Sequence, residues 1–402
     1  LITHPHAGDP RSERGTTEPH SQSNPHRITQ LALASLLALL FAIALPTHVR
    51  ANSDGDSAPA LTGCTRREAG RHPHRCLAVR GAPWAEAPTP GPPLPTRSTG
   101  PLGFLLETYL EVENDGADIF PSPDAAARGD DATERQRGGF VYLASGSSTT
   151  IADQRIYRTP RGSVRAEDVS HAHPSDFQGM AFFRTPQRPF GWLTAGGVCP
   201  RTEPSPQAPL ADRCFTRYHR VDILAIEDTE RGTWIQVAES AWVLDEYVAR
   251  VDPEVSKPAA VESARWIEVN LAEQTVTVYE DQQLVYATVA STGRSGFWTQ
   301  PGTFQVWAKL ERDNMTGGSP GSDNYYFLEN VPWVLYFDQA RALHGTYWHN
   351  HFGSPRSRGC VNLSPADAEW MYQFAQEGTW VHVYDPSGQT PTDPDLYGAG
   401  GA

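Results

Sequence analysis

Between residues 265 and 292 the chain reads RWIEVNLAEQTVTVYEDQQLVYATVAST. Apolar and polar residues alternate with period two on either side of turns at Ala272-Glu273 and Asp281-Gln282. A strand sends successive side chains to opposite faces, so this run fits an antiparallel meander and no helix. GTFQVWAKL, YYFLE and WVLYF continue the strand pattern, and TWVHVYD at 379–385 offers a closing strand. One helix interrupts it. Ser364 is a good N-cap, Pro365 suits the first helical position, and Asp367 stands at capping-box spacing. Trp370, Met371 and Phe374 then form one apolar face, and Gly378 is the expected stop.

The preceding stretch, 101–250, holds shorter alternating runs such as GGFVYLA, MAFFRT and TWIQVAESAWVLDEYV, punctuated by Gly, Pro and Asp. This is the pattern of a small β domain, and the last run resembles the closing strands of a Src-homology-like barrel. Residues 251–262 read as a short linker to a domain over 263–386, and the tail 387–402 as flexible. The fold class expected is mainly β, with a small β-barrel-like domain ahead of a β-rich C-terminal domain carrying one helix.

Upstream the chemistry changes. Arg27 precedes the apolar run LALASLLALLFAIAL at 31–45, and a small-residue stretch ends at Ala51. That layout predicts a signal peptide within 1–51, because the run is short for a membrane span. Residues 52–100 are rich in Pro and Ala and read as a disordered linker. The net charge of −14 lacks the basic excess that nucleic acid or an anionic membrane demands.

Export places the five cysteines in an oxidising setting. The spacings favour pairs 64–76 and 199–214, leaving Cys360 odd. It ends a stretch containing His344, His349 and His351, for which three readings compete. A zinc cage would use nitrogen and sulfur ligands, yet the spacings match no common zinc pattern. A half-cystine would take a partner from one of the other pairs. A nucleophile would need a base to form thiolate, which a histidine supplies, and Arg358 would add positive charge beside the sulfur. Gly359 would let the backbone approach a carbonyl, with peptide N–H groups near Gly359 and Cys360 as an oxyanion site.

The motifs HGT at 344–346, FG at 352–353, SRGCVN at 357–362 and the following SPADA resemble the signature of bacterial L,D-transpeptidases, the YkuD-type catalytic domain. TQPGTFQVWAKL is similar to that family's Thr-Pro-x-Gly-x-Phe segment, and the resemblance covers about 265–385. It implies a YkuD-like β-sandwich with Cys360 as nucleophile, His344 as base, and the Gly345 carbonyl orienting the imidazole. Ser357, Arg358, Gly359 and Asn362 would shape the Cys loop, with Tyr347, His349 and His351 lining the cleft, the two histidines at its rim steering substrate carboxylates. The implied reaction is acyl transfer on peptidoglycan stem peptides, without cofactor or metal, in the periplasm or cell envelope. The acceptor would be a second stem or an amine of a cell-wall-attached protein. Two departures are visible: Arg358 stands where the family has histidine, and only 12 residues separate His344 from Ser357. A non-catalytic wall-binding protein of the same fold, and a hydrolase in which water resolves the thioester, are the other readings.

Overall fold

The computed structural model describes residues 105, 107–254, 256–320, 322, 324–391, 393–398 and 400. The expected signal peptide, Pro-rich linker and 64–76 cysteine pair lie outside the described residues. Alternation in the 265–292 run becomes three antiparallel strands, Arg265–Asn270, Thr275–Glu280 and Gln283–Val289. Asp281 and Gln282 form the second turn, both in the left-handed region that a two-residue type I′ hairpin requires. Ile267, Val269, Val276 and Val278 face a core completed by Leu343, Val361, Trp370 and Met371.

These strands belong to a six-stranded sheet in the spatial order Gly302–Gln305, Trp380–Tyr384, Arg265–Asn270, Thr275–Glu280, Gln283–Val289, Met180–Ala181. A seven-stranded sheet contains Val361–Leu363, Arg341–Gly345, Tyr326–Asp338, Phe140–Ser145, Thr108–Val112 and Val169–His171, with Ala308–Gly317 also pairing Tyr326–Asp338. The segment expected as one strand, GTFQVWAKL, crosses between the sheets at Val306-Trp307. Conversely YYFLE and WVLYF fuse into one 13-residue strand. It bends rather than breaks because Asn330 and Trp333 take positive φ on either side of Pro332.

The division at 251–262 differs from expectation. Phe140–Tyr142 pairs in parallel with Tyr326–Leu328, and Met180 and Ala181 pair with Ala287 and Tyr286. Thr108–Val112, Phe140–Ser145, Val169–His171 and Met180–Ala181 therefore join the two large sheets, whereas the strands within Phe190–Val251 pair only among themselves, in two three-stranded sheets. The pattern recognised around Trp234–Val248 also occurs twice. Three antiparallel strands, a 3₁₀ turn and a fourth strand span Ser147–His171 and again Ala225–Val251. The second copy adjoins the disulfide Cys199–Cys214.

The helix runs Pro365–Phe374, shorter than the sequence stop at Gly378 implied, with Ala375 already extended. Ser364 Oγ accepts the Asp367 N–H at 3.1 Å as an N-cap should. The Asp367 carboxylate does something else. It accepts from the Gly179 N–H at 2.7 Å, the Tyr286 hydroxyl at 2.7 Å, the Thr288 hydroxyl at 2.6 Å and the Ser364 hydroxyl at 2.8 Å. Burial raises its pKa to about 6 despite those four donors. A folded pKa above the unfolded value means stability is full below about pH 4 and declines as pH rises through about 6. Asp367→Asn should remove that decline, amounting to on the order of 2–3 kcal/mol, from urea-unfolding free energies measured between pH 4 and 7. An unchanged pH slope in the variant would show that the group carries no such linkage.

Candidate active site

Two parallel strands carry the site. Arg341–Gly345 pairs with Val361–Leu363 in the register Leu343↔Val361, His344↔Asn362, Gly345↔Leu363. Period two turns Leu343 into the core between the sheets, leaving Ala342, His344 and Thr346 on the opposite face. Gly345 must be glycine: a Cβ there would lie 2.9 Å from Pro332 Cγ and 3.3 Å from Pro365 Cα. Cys360 immediately precedes Val361, so its sulfur sits beside Ala342, accepting that N–H at 3.4 Å. The thiol in turn points at the Ala340 carbonyl at 3.6 Å.

His344 is wholly buried, its Nδ1 3.3 Å from the Gly345 carbonyl. A carbonyl only accepts, so Nδ1 carries the proton and Nε2 holds a lone pair, which has no partner. Desolvation lowers this imidazole to about 4, and the Gly345 bond opposes the shift. Cys360 is also fully buried, and desolvation lifts its thiol to about 12, opposed by the Ala342 N–H and the charge of Arg341. Thiol and imidazole are therefore both neutral in this closed arrangement, and the sulfur's hydrogen bonds go to the backbone rather than to the ring.

The cation beside the sulfur is Arg341, not Arg358. Arg341 is completely buried, pairs with Asp338 at 2.8 Å, and donates to the carbonyls of Tyr397 and Gly398. The tail read as flexible is thereby tied to the site through 397 and 398. Arg358 turns outward, donating to the Asn324 carbonyl at 2.6 Å and lying over the Tyr326 ring at 4.7 Å. Its long side chain finds an aromatic face and a carbonyl there without the cost of full burial.

The expected oxyanion donor is also engaged elsewhere. Gly359 sits at φ 123° and gives its N–H to Ser357 Oγ at 3.1 Å. Ser357 donates onward to the Cys360 carbonyl at 2.5 Å, and Thr299 Oγ1 donates to the Gly359 carbonyl at 2.8 Å. Ser357 and Gly359 are hydrogen-bonded within the loop, and the Gly359 N–H is committed there. Asn362 faces His349, its amide 3.0 Å from His349 Nε2. His349 Nδ1 accepts the His351 N–H at 3.2 Å, so Nε2 carries the proton and the hydrogen-bond balance puts the Asn362 oxygen toward it. His349 is half-buried rather than a rim residue, pushed down to about 3 by desolvation and then by Arg356. His351 is exposed at the rim near Arg356 and Arg217, which depress its pKa after desolvation does.

Tyr347 lines no open cleft. It is buried, donates to the Glu329 carbonyl at 2.7 Å, and stacks on Tyr109 with ring centroids 3.5 Å apart. Tyr109, Tyr142, Tyr326 and Met315 join it in the cluster that contains Cys360. Neither this aromatic packing nor Arg341 is part of the sequence reading. The Asp338–Arg341 pair, three residues apart just before His344, was the available signal for the latter. Among the described residues no three His, Cys, Asp or Glu side chains converge as a metal site would require.

Residues 264–383 match the family of L,D-transpeptidase catalytic domains, YkuD. Over 123 residues the chain is 25% identical to L,D-transpeptidase 2 of Mycobacterium tuberculosis (strain CDC 1551 / Oshkosh), a stretch covering 29% of this chain and 30% of that protein. Among solved structures, an L,D-transpeptidase (Yku) from Stackebrandtia nassauensis is 29% identical, with 33% of this chain and 60% of that chain covered and a TM-score of 0.26. The catalytic domain of an E. faecium L,D-transpeptidase is 26% identical, covering 31% of this chain and 100% of its own, at a TM-score of 0.28. The chain spans under a third of the curated relative's length.

Cys360 shares its hydrophobic cluster with the stacked Tyr109–Tyr347 pair. A stacked pair contributes roughly 0.5–1.5 kcal/mol beyond its buried area. Tyr109→Ala should therefore speed iodoacetamide alkylation of Cys360 by up to about tenfold at pH 8, read by intact mass. An unchanged rate would mean that the thiol is reached by another route.

Proposed function

Residues 264–383 form a domain of the L,D-transpeptidase family, and from that premise we propose that this chain transfers acyl groups through Cys360 on peptidoglycan stem peptides. The observation that carries the reading is an unpaired Cys360 one strand away from an imidazole whose Nε2 lone pair has no partner. The sulfur attacks the stem carbonyl and its proton passes to His344 Nε2. The C–N bond to the terminal D-amino acid breaks, the amine leaves with that proton, and a thioester remains. An incoming amine then attacks the thioester, His344 takes its proton, and the thiol is restored as the new amide forms. The Gly345 carbonyl holds Nδ1–H throughout, so the base keeps one tautomer and one orientation. Arg341, the buried cation nearest the sulfur, favours the thiolate as it develops.

The acceptor is a second stem or an amine of a protein fixed to the wall, and the site works outside the cytoplasm. The disulfide Cys199–Cys214 supports that placement. A second reading, a wall-binding protein of the same fold without turnover, is favoured by the complete burial of both Cys360 and His344.

Intact-mass spectrometry with a tetrapeptide donor or a carbapenem separates them. The native protein should gain one acyl adduct, and Cys360→Ala should gain none while melting normally. His344→Gln should acylate roughly 10²–10⁴-fold more slowly. An adduct on Cys360→Ala, or none on the native chain, would overturn the transferase reading.

A further inference from the structure

On the face of the six-stranded sheet turned away from the core lies a cavity of about 610 Å³, of the size that holds a small organic ligand. Its floor is a plate of six polar side chains from three adjacent strands. Glu268 stands between Thr277 and His382, and Asn270 between Thr275 and Tyr384. The same strands send Ile267, Val269, Val381 and Val383 the other way into the core. The roof is made by Arg250, Val251, Asp252, Glu254, Ser256 and Pro258, with Pro189, Ile223 and Ile226 as an apolar wall.

We propose that this cavity binds a neutral oligosaccharide. The floor offers hydroxyl, amide, imidazole and phenol groups, donors and acceptors of the kind that pair with sugar hydroxyls, already partly networked through Asn270 Nδ2 to Tyr384 Oη at 2.8 Å. Ile223, Ile226 and the prolines match the apolar C–H faces of pyranose rings. Charge excludes the competing anions. Arg250 is the only Lys or Arg in the lining, and it is committed to Glu273 and Asp245. Asp252 and Glu254 stand exposed at the rim and repel phosphates and carboxylate-bearing peptides. Desolvation holds the Glu268 carboxyl up at about 7, so it is shared between its neutral and ionised forms at neutral pH. The cavity is separate from the Cys360 site, which stands on the seven-stranded sheet. Equating the natural ligand with the glycan that bears the stem peptides rests on the proposed function; the binding itself does not.

Titration calorimetry of the full chain with a tetramer of N-acetylglucosamine tests this, with spermidine and a stem tetrapeptide as competitors. Saturable binding is expected, weakened by about tenfold or more in Tyr384→Ala and in the near-isosteric Glu268→Gln. Carbapenem adduct formation at Cys360 should be unchanged in both variants, so failure of the glycan site and failure of the transferase reading are read separately. Should Tyr384→Ala fail to fold, Glu268→Gln decides. No binding of the tetramer, preferential binding of spermidine, or native affinity in the folded variants would overturn the proposal.

Discussion

The buried carboxylate of Asp367 is where three separate stretches of chain meet. It gathers the backbone of Gly179, the hydroxyls of Tyr286 and Thr288, and the helix cap Ser364. A half-satisfied carboxylate at this depth would cost several kcal/mol, so all four donors have to arrive together. That requirement fixes the helix start against the six-stranded sheet. It thereby fixes the short strand Val361–Leu363 that runs into the helix, and with it the position of Cys360 beside Ala342. It also draws the segment around Gly179 onto the sheet edge, where Met180 and Ala181 pair with Ala287 and Tyr286. The candidate site is precise because a polar knot four to seven residues downstream leaves the chain one way to enter the helix.

Burial sets the chemistry of the closed site as firmly as it sets the fold. Desolvation moves the Cys360 thiol up and the His344 imidazole down, so both shifts favour the uncharged pair. Proton transfer from sulfur to nitrogen would create two charges where neither is solvated. Contact with water or a polar substrate would relieve that penalty. Arg341 acts differently, because its buried charge lowers the cost of a thiolate without any such contact. Arg358 lies over Tyr326 and faces away from the sulfur.

Local pattern made some of this legible in the sequence and long-range geometry hid the rest. The alternation in 265–292, the hairpin at Asp281-Gln282 and the cap at Ser364 depend on neighbours in sequence, and each appears where the residues indicate. The long strand Tyr326–Asp338 was read as two because Pro332 and its polar neighbours look like a break; positive φ at Asn330 and Trp333 turns the break into a bend. The first copy of the strand–3₁₀–strand unit escaped notice because RIYRTPRGSVRAED lacks the tryptophans that mark the second. For the site, Cys360 and His344 stand out in the motif, whereas the burial of Arg341 does not show in local pattern. Its burial depends on carbonyls at 397 and 398, far along the chain and in a tail that composition marks as loose.

The closest physical link between the N-terminal strands and the chemistry is therefore not a linker but a shared sheet. Phe140–Tyr142 lies along Tyr326–Leu328 in the same hydrogen-bond ladder, and Tyr109 from the neighbouring strand stacks on Tyr347, three residues after His344. A strand cannot leave a ladder one residue at a time without stranding buried N–H and C=O groups. Wholesale departure of the N-terminal strands is therefore costly, and the stacked Tyr109–Tyr347 pair stays anchored on the Tyr109 side. The same reasoning binds the tail: Arg341 would lose two carbonyl partners if 397 and 398 withdrew, leaving a buried cation with only Asp338 to balance it. Sheet ladder on one side and buried arginine on the other hold the backbone around Cys360 in place.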